Sequence, residues 1–254
     1  MLTKRVVVCL DVDGDRVVKG TRFVNLRDVG DPSALAERYE QENADEIVLL
    51  DISATQEKRR TLFDLISRTA SRLTLPLTVG GGVGSVDDVR AILRSGGDKV
   101  GINSAAVADP SLLSRAADEF GSQCVVAAID VRRENGSWKV YTHGGRQATG
   151  LDAIDWTTEC VERGAGEILL TSVDRDGTRS GYDVELVRAI AGEVNVPVVA
   201  SGGAGSPADI VDVLRAGADA ALVAGIVHDG VETIASIKEA MAASGLPVRD
   251  GAAT

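Results

Sequence analysis

Gly81-Gly82-Val83-Gly84-Ser85 returns as Gly202-Gly203-Ala204-Gly205-Ser206, 121 positions later, and this repetition restricts the fold more than any other feature of the chain. Each copy follows a short apolar run opened by a proline, Leu75-Pro76-Leu77 or Val196-Pro197-Val198, and leads into a helical pattern. Over Val79–Asp98 and Ala200–Asp219 the two stretches share nine of twenty residues, among them Asp88/Asp209, Leu93/Leu214, Arg94/Arg215, Gly96/Gly217 and Asp98/Asp219. Ala44-Asp45-Glu46-Ile47-Val48 answers Ala165-Gly166-Glu167-Ile168-Leu169 at the same offset, and Val6–Asp11 answers Val125–Asp130 at nearly that offset. A period near half the chain is too long for a solenoid, whose units repeat every 20–50 residues or so. It reads as two fused half-barrels, about 1–122 and 123–254, within one domain.

Strand-like runs near 5–11, 45–51, 76–80, 98–103, 124–130, 167–172, 197–201 and 219–224 alternate with helical patterns near 31–43, 56–72, 85–95, 110–119, 151–163, 182–192, 206–216 and 231–243. The strand runs are almost continuous Val/Ile/Leu/Ala, as in a parallel sheet covered on both faces. Asp31-Pro32, Asp109-Pro110 and Ser206-Pro207 read as helix openings, a capping residue followed by proline in the first turn. Eight units in alternation predict a (β/α)8 barrel, with an open doubly wound sheet as the second choice. Two connections are long: 13–30, polar and expected to be a mobile flap over the site, and 131–145, where Asn135-Gly136 predicts a type I′ hairpin turn. The 251–254 tail is expected to fray.

A net charge of −11 argues against nucleic acid and anionic membranes as partners, since both require a basic face. No signal-peptide pattern is read before Lys4 and no apolar run reaches the length of a membrane span, which points to the cytoplasm. Cys9, Cys124 and Cys160 lack metal spacing and read as reduced, buried and inert, two of them in strands. No metal motif, Ser-His-Asp set or dinucleotide fingerprint is present, so neither metal nor cofactor is expected.

The chemistry is expected where the strands end, because barrel active sites occupy that face. Asp11 and Asp130 close strands one and five, which are opposite in an eight-stranded barrel. Either alone could be a loop-fixing residue; as a matched pair at partly desolvated strand ends they suit proton transfer. Asp51, Asn103-Ser104, Thr171, Asp174, Asp176-Gly177 and Ser201 make the other strand ends polar, and Lys19 is the cation of the flap. His143 and His228 read as substrate contacts or satisfied polar groups. Glycines at a strand end let a ligand approach the backbone, and the helix start that follows offers free N–H groups. Two such loops suggest a substrate with a phosphate at each end, and bulky substitutions at Gly82 or Gly203 would then weaken binding while sparing the fold.

At the strand starts stand Arg5, Glu46, Lys99 and Glu167. Side chains alternate along a strand, so Arg5 shares a face with Asp11, Lys99 with Asn103 and Glu167 with Thr171. Two cations and two anions would close the bottom mouth, either as a solvated belt of ion pairs or as a controlled opening.

Val8-Cys9-Leu10-Asp11-Val12, Arg16-Val17-Val18-Lys19-Gly20, Val79-Gly80-Gly81-Gly82, Asp98-Lys99-Val100, Ile102-Asn103, 169–178 (Leu-Leu-Thr-Ser-Val-Asp-Arg-Asp-Gly-Thr) and Ala200-Ser201-Gly202-Gly203-Ala204-Gly205 together resemble the cyclase-subunit family of imidazole glycerol phosphate synthases, over essentially the whole chain. The flap departs from the family in its order Asp13-Gly14-Asp15-Arg16. The resemblance implies a histidine-biosynthesis enzyme that uses ammonia to convert phosphoribulosyl formimino aminoimidazole carboxamide ribotide to imidazole glycerol phosphate and aminoimidazole carboxamide ribotide. It implies Asp11 and Asp130 as the acid/base pair and Gly82, Asn103 and Ser104 at one phosphate. Asp176, Gly177, Gly203, Ala224 and Gly225 would line the other end, with Lys19, Thr171, Ser201 and Gly202 as further substrate contacts. It also implies a glutaminase partner in a heterodimer, with Arg5, Glu46, Lys99 and Glu167 as its ammonia gate. The sister isomerase of the same pathway and a non-catalytic sugar-phosphate binding barrel are the alternatives.

Overall fold

Val6, Val7, Val8, Cys9 and Leu10 are each at most 6% exposed, a run that only a strand covered on both faces can bury. The computed structural model describes residues 2–21, 24–52 and 59–249, and their side chains except at 20–21, 24–26 and 59–60. The expected fraying of 251–254 lies outside the described residues, as does the start of the second predicted helix.

β1 (Arg5–Asp13) runs into an antiparallel hairpin, β2 (Arg16–Thr21) and β3 (Val24–Gly30). Then come β4 (Glu46–Asp51), β5 (Leu77–Gly80), β6 (Lys99–Ile102) and β7 (Val125–Glu134). A second hairpin, β8 (Ser137–Thr142) and β9 (Gln147–Asp152), precedes β10 (Glu167–Ser172), β11 (Val198–Ser201) and β12 (Ala220–Val223). β1, β4, β5, β6, β7, β10, β11 and β12 pair in parallel in that order, and β12 returns to β1. Eight parallel strands therefore close into a barrel, and an open sheet is excluded.

The surrounding helices are α1 (Pro32–Gln41), α2 (Arg59–Ala70), α3 (Val86–Arg94), α4 (Ser104–Ala108), α5 (Ser111–Phe120), α6 (Ala153–Glu162), α7 (Val184–Glu193), α8 (Pro207–Arg215), α9 (Gly225–His228) and α10 (Ile234–Ala243). The short α4 and α9 carry no long amphipathic repeat and escape a reading of periodicity. Several boundaries move: Leu151 and Asp152 finish β9 rather than opening α6, α5 is capped by Pro110 rather than Asp109, β7 runs on to Glu134, and α10 begins at Ile234 rather than near 231. The Asp109 carboxylate still accepts from the Ser111 N–H at 3.1 Å.

The two glycine loops are built alike. Ser85 caps α3 and Ser206 caps α8, while Asp88 and Asp209 accept from the backbone N–H groups of Gly84 and Gly205 at 2.9 and 3.1 Å. This reciprocal capping explains four of the repeated residues without invoking a ligand. Asp98 and Asp219 accept from Leu77 N and Val198 N at 2.8 and 3.1 Å, fixing the entry of the next strand in each half.

Alternation along β1 divides the core. Val6, Val8, Leu10 and Val12 pack outward against the helices, whereas Val7 and Cys9 join Val48, Val199, Ala220 and Leu222 inside the barrel. The interior is thus apolar at mid-height, with Arg5 below it and Asp11 above it on one strand face. Beneath the barrel, Asp45 accepts from Val6 N at 2.8 Å, Lys238 at 2.8 Å and Arg249 at 3.0 Å, tying α10 and the C-terminal segment to β1.

Within the 13–30 connection, the described residues 13–21 and 24–30 form an antiparallel hairpin, in which Val17 and Val12 continue the β1 ladder and Gly14 takes the turn at φ +65°. Asn135 and Gly136 have φ of +49° and +85°, as a type I′ turn requires. Cys124 lies in a 3-10 turn, partly exposed, not buried in a strand; Cys160 is buried in α6. Among the described residues no helix is long and apolar enough to cross a membrane.

Candidate active site

Register sets the mouth of the barrel. Asp130 is level with Thr171, and Thr171 with Ser201, on three adjacent strands. Asp11 ends the inward face of β1, four strands away in either direction around the barrel. Burial pushes the Asp11 carboxyl up to about 7, and the charge of Asp176 adds to the rise. The Cys9 thiol, donating to Oδ1 over 3.5 Å, opposes the rise by more than Asp176 adds to it. Burial likewise raises Asp130, to about 6, with Asp176 again adding; the Asn103 side chain and the Gly145 N–H hold its charged form and limit the shift. Asp176, on the loop after β10, therefore acts on both carboxylates, which its strand-end position alone did not reveal.

Among the described residues, the buried Asn103 Oδ1 finds no hydrogen-bond partner. Ser104 accepts from the His143 backbone N–H at 3.0 Å, so the loop after β8 leans on the start of α4. His143 Nδ1 lies 3.1 Å from Thr142 Oγ1. His228 is a satisfied core group: Nε2 donates to the Cys9 carbonyl at 2.9 Å, which leaves Nδ1 to accept from Tyr39 at 2.7 Å. Burial depresses its pKa to about 4, so the ring stays neutral.

Gly82 and Gly177 adopt φ of +65° and +70°, Gly202 and Gly203 +91° and +107°. A Cβ on Gly202 would lie 2.5 Å from the Ser172 carbonyl oxygen, and one on Gly203 2.2 Å from that of Gly181. Bulk at Gly203 therefore breaks the loop itself, which corrects the expectation that the fold would be spared. At Gly225 a Cβ would meet only flexible ends, Lys19 Nζ at 3.0 Å and Arg179 at 3.7 Å. Lys19 donates to the Gly225 carbonyl at 3.3 Å, so flap and second glycine half do meet beside Ala224 and Gly225.

At the opposite end the four strand-opening charges form a closed ring. Arg5 donates to Glu46 at 2.7 Å and to Glu167, and Lys99 lies 2.8 Å from the Glu46 carboxylate and 2.5 Å from that of Glu167. Glu46 and Glu167 are only 2% and 6% exposed. Charges so buried persist only when paired, and losing one partner costs about 3–5 kcal/mol.

This geometry, two elevated carboxylates above an apolar interior above an ion-pair ring, belongs with a matching family model, described as a histidine biosynthesis protein, that covers residues 5–233. The chain belongs to the histidine biosynthesis protein family. Within it, the chain is 62% identical over 250 residues to the imidazole glycerol phosphate synthase subunit HisF of Myxococcus xanthus, covering 98% of this chain and 99% of that one. HisF subunits of Gluconacetobacter diazotrophicus and Dehalococcoides mccartyi are 57% and 55% identical over the same length, with 97% and 99% of their chains covered. These HisF relatives are named as subunits, hence as parts of a larger enzyme.

Proposed function

We propose that this chain is the cyclase subunit of an imidazole glycerol phosphate synthase, acting on the ribulosyl bis-phosphate substrate with ammonia. The observation that carries this is the opposed pair Asp11 and Asp130, both held partly protonated near neutral pH. Ring closure gives a proton to one nitrogen and removes one from another, and carboxyl groups on opposite strands reach both sides of a substrate lying across the mouth. Asp130, hydrogen-bonded by Asn103 and Gly145 in its ionised form, is the acceptor. Asp11, whose one neighbour of that kind is the weakly donating Cys9 thiol, is the donor. The orphaned Asn103 Oδ1 accepts from the substrate, and Thr171 and Ser201 line the same side.

The glycine-rich halves hold the two phosphates: Gly82 and Ser104 at one end, and Gly177, Gly202, Gly203, Ala224 and Gly225 with Lys19 at the other, which Asp176 also lines. Ammonia comes from a glutaminase subunit docked under the barrel, because the two histidines and three cysteines of this chain form no cysteine-based nucleophile set. Arg5, Glu46, Lys99 and Glu167 gate its entry, and the apolar interior lined by Val7, Cys9, Val48 and Leu222 leads it upward without a charged site to trap it. The enzyme works in the cytoplasm. Turnover of the ribulosyl substrate with an ammonium salt tests the reading. Isomerisation of its precursor without ammonia would assign the chain to the sister isomerase instead, and neither activity would leave only a binding barrel.

A further inference from the structure

Asp229, the C-cap of α9, gathers three cations from three separate segments. Lys19 of β2, Arg27 of β3 and Arg179 of the loop after β10 all donate to its carboxylate. Lys19 and Arg179 also donate to the Gly225 carbonyl, at 3.3 and 3.2 Å. Arg179 is held at φ +56°, a conformation that costs energy for a non-glycine residue and is retained only where surroundings impose it. Burial alone would raise the Asp229 carboxyl, but its hydrogen bond to Lys19 and the charges of Lys19, Arg27 and Arg179 hold it below the usual carboxylate range.

One carboxylate does not neutralise three cations. The cluster keeps two positive charges, which is the charge that a phosphate monoester dianion supplies, with more acceptor oxygens than a carboxylate offers. We propose that Asp229 is an internal stand-in for a substrate phosphate: its carboxylate occupies the cationic clamp made by Lys19, Arg27 and Arg179, and an incoming phosphate takes over those cations, keeping β2 and β3 tied to α9 through them. The clamp is thus a phosphate-binding site with a built-in competitor. The three cations are the binding groups and Asp229 sets the threshold that a ligand must exceed. A ligand carrying one negative charge gains little by displacing Asp229, whereas a dianion gains from all three cations, so the device selects for phosphate over carboxylate. This deepens the bis-phosphate reading above and takes its ligand class from it.

The test uses the full chain and inorganic phosphate, titrated calorimetrically in a chloride buffer. Asp229→Asn keeps the shape and removes the competitor, so phosphate should bind at least about three-fold tighter, given the modest strength of exposed ion pairs. Trypsin should cut the hairpin after Lys19 and Arg27 faster in this variant, and added phosphate should restore protection. Arg179→Met in the otherwise unaltered chain should weaken phosphate binding. Equal or weaker binding by Asp229→Asn, or unchanged binding by Arg179→Met, in protein with a native melting transition, overturns the proposal. These readouts require no turnover: absent cyclase activity with the predicted phosphate shifts would remove the cyclase reading alone. Normal cyclase activity with phosphate binding indifferent to Asp229 would remove the clamp alone.

Discussion

Thr78 donates its hydroxyl hydrogen to Glu46 Oε1 across 2.6 Å, inside the barrel where Thr78 is 3% exposed. Glu46 therefore has three described donors, Arg5, Lys99 and Thr78, whereas Glu167 has two, Arg5 and Lys99. The ring thus has one more described donor on the β4 side than on the β10 side. Thr78→Val should leave Glu46 short of a donor and destabilise the barrel by about 1–3 kcal/mol, with Thr78→Ser recovering most of the loss. Urea denaturation of the three proteins at pH 7 measures this; equal midpoints for valine and threonine would show that the hydroxyl contributes nothing.

Lys99→Ala opens the ring at its joint between Glu46 and Glu167. If the ring admits ammonia, glutamine-dependent turnover, or its coupling to glutamine hydrolysis, should suffer more than turnover with ammonium salt. Paired assays in complex with the glutaminase subunit decide the point. Equal loss in both, with subunit binding intact, would reduce the ring to a structural belt.

Asp11→Asn and Asp130→Asn should each lower turnover by about 10²–10⁴-fold with much smaller effects on substrate binding. Activity of the parent should rise as Asp130 ionises above about 6 and fall as Asp11 loses its proton above about 7. The stability sign is the reverse of the usual carboxylate case. Both groups have folded-state pKa values above their ordinary 3.8, so their contribution is full below that value and is lost as pH rises through about 6 and 7. Each asparagine variant should consequently be more stable than the parent at pH 8, by on the order of 1–3 kcal/mol, and no more stable at pH 4. Thermal melts at the two pH values provide the comparison, and a variant that melts below its parent at pH 8 contradicts the buried-charge account.

Gly203→Ala and Gly225→Ala should separate loop integrity from ligand binding. The first adds a Cβ 2.2 Å from a carbonyl oxygen at φ +107° and should cost more than about 1 kcal/mol of stability. The second crowds only the movable ends of Lys19 and Arg179 and should raise KM with the melting temperature nearly unchanged. A Gly225→Ala enzyme with the parent KM would place the phosphate elsewhere.

The eight-unit alternation, the strand-end aspartates, the strand-opening charges and the Asn135-Gly136 turn were legible in order along the chain, because each depends on short-range rules. Val, Ile and Leu runs demand burial on both faces, alternation carries Arg5 and Asp11 to one face, and glycine alone takes certain turns at little cost. The two-fold repeat added closure, since half a barrel cannot cover its own edges. Pairings between distant segments followed no such rule. That Asp229 meets Lys19, Arg27 and Arg179, that Thr78 holds Glu46, that Asp176 acts on both Asp11 and Asp130, and that His228 is locked between Cys9 and Tyr39 depend on strand stagger and loop path around the closed barrel. A residue's type states which bonds it can make, but only closure of the barrel, which brings segments such as those of Cys9 and His228, 219 positions apart, into contact, decides which of them it makes.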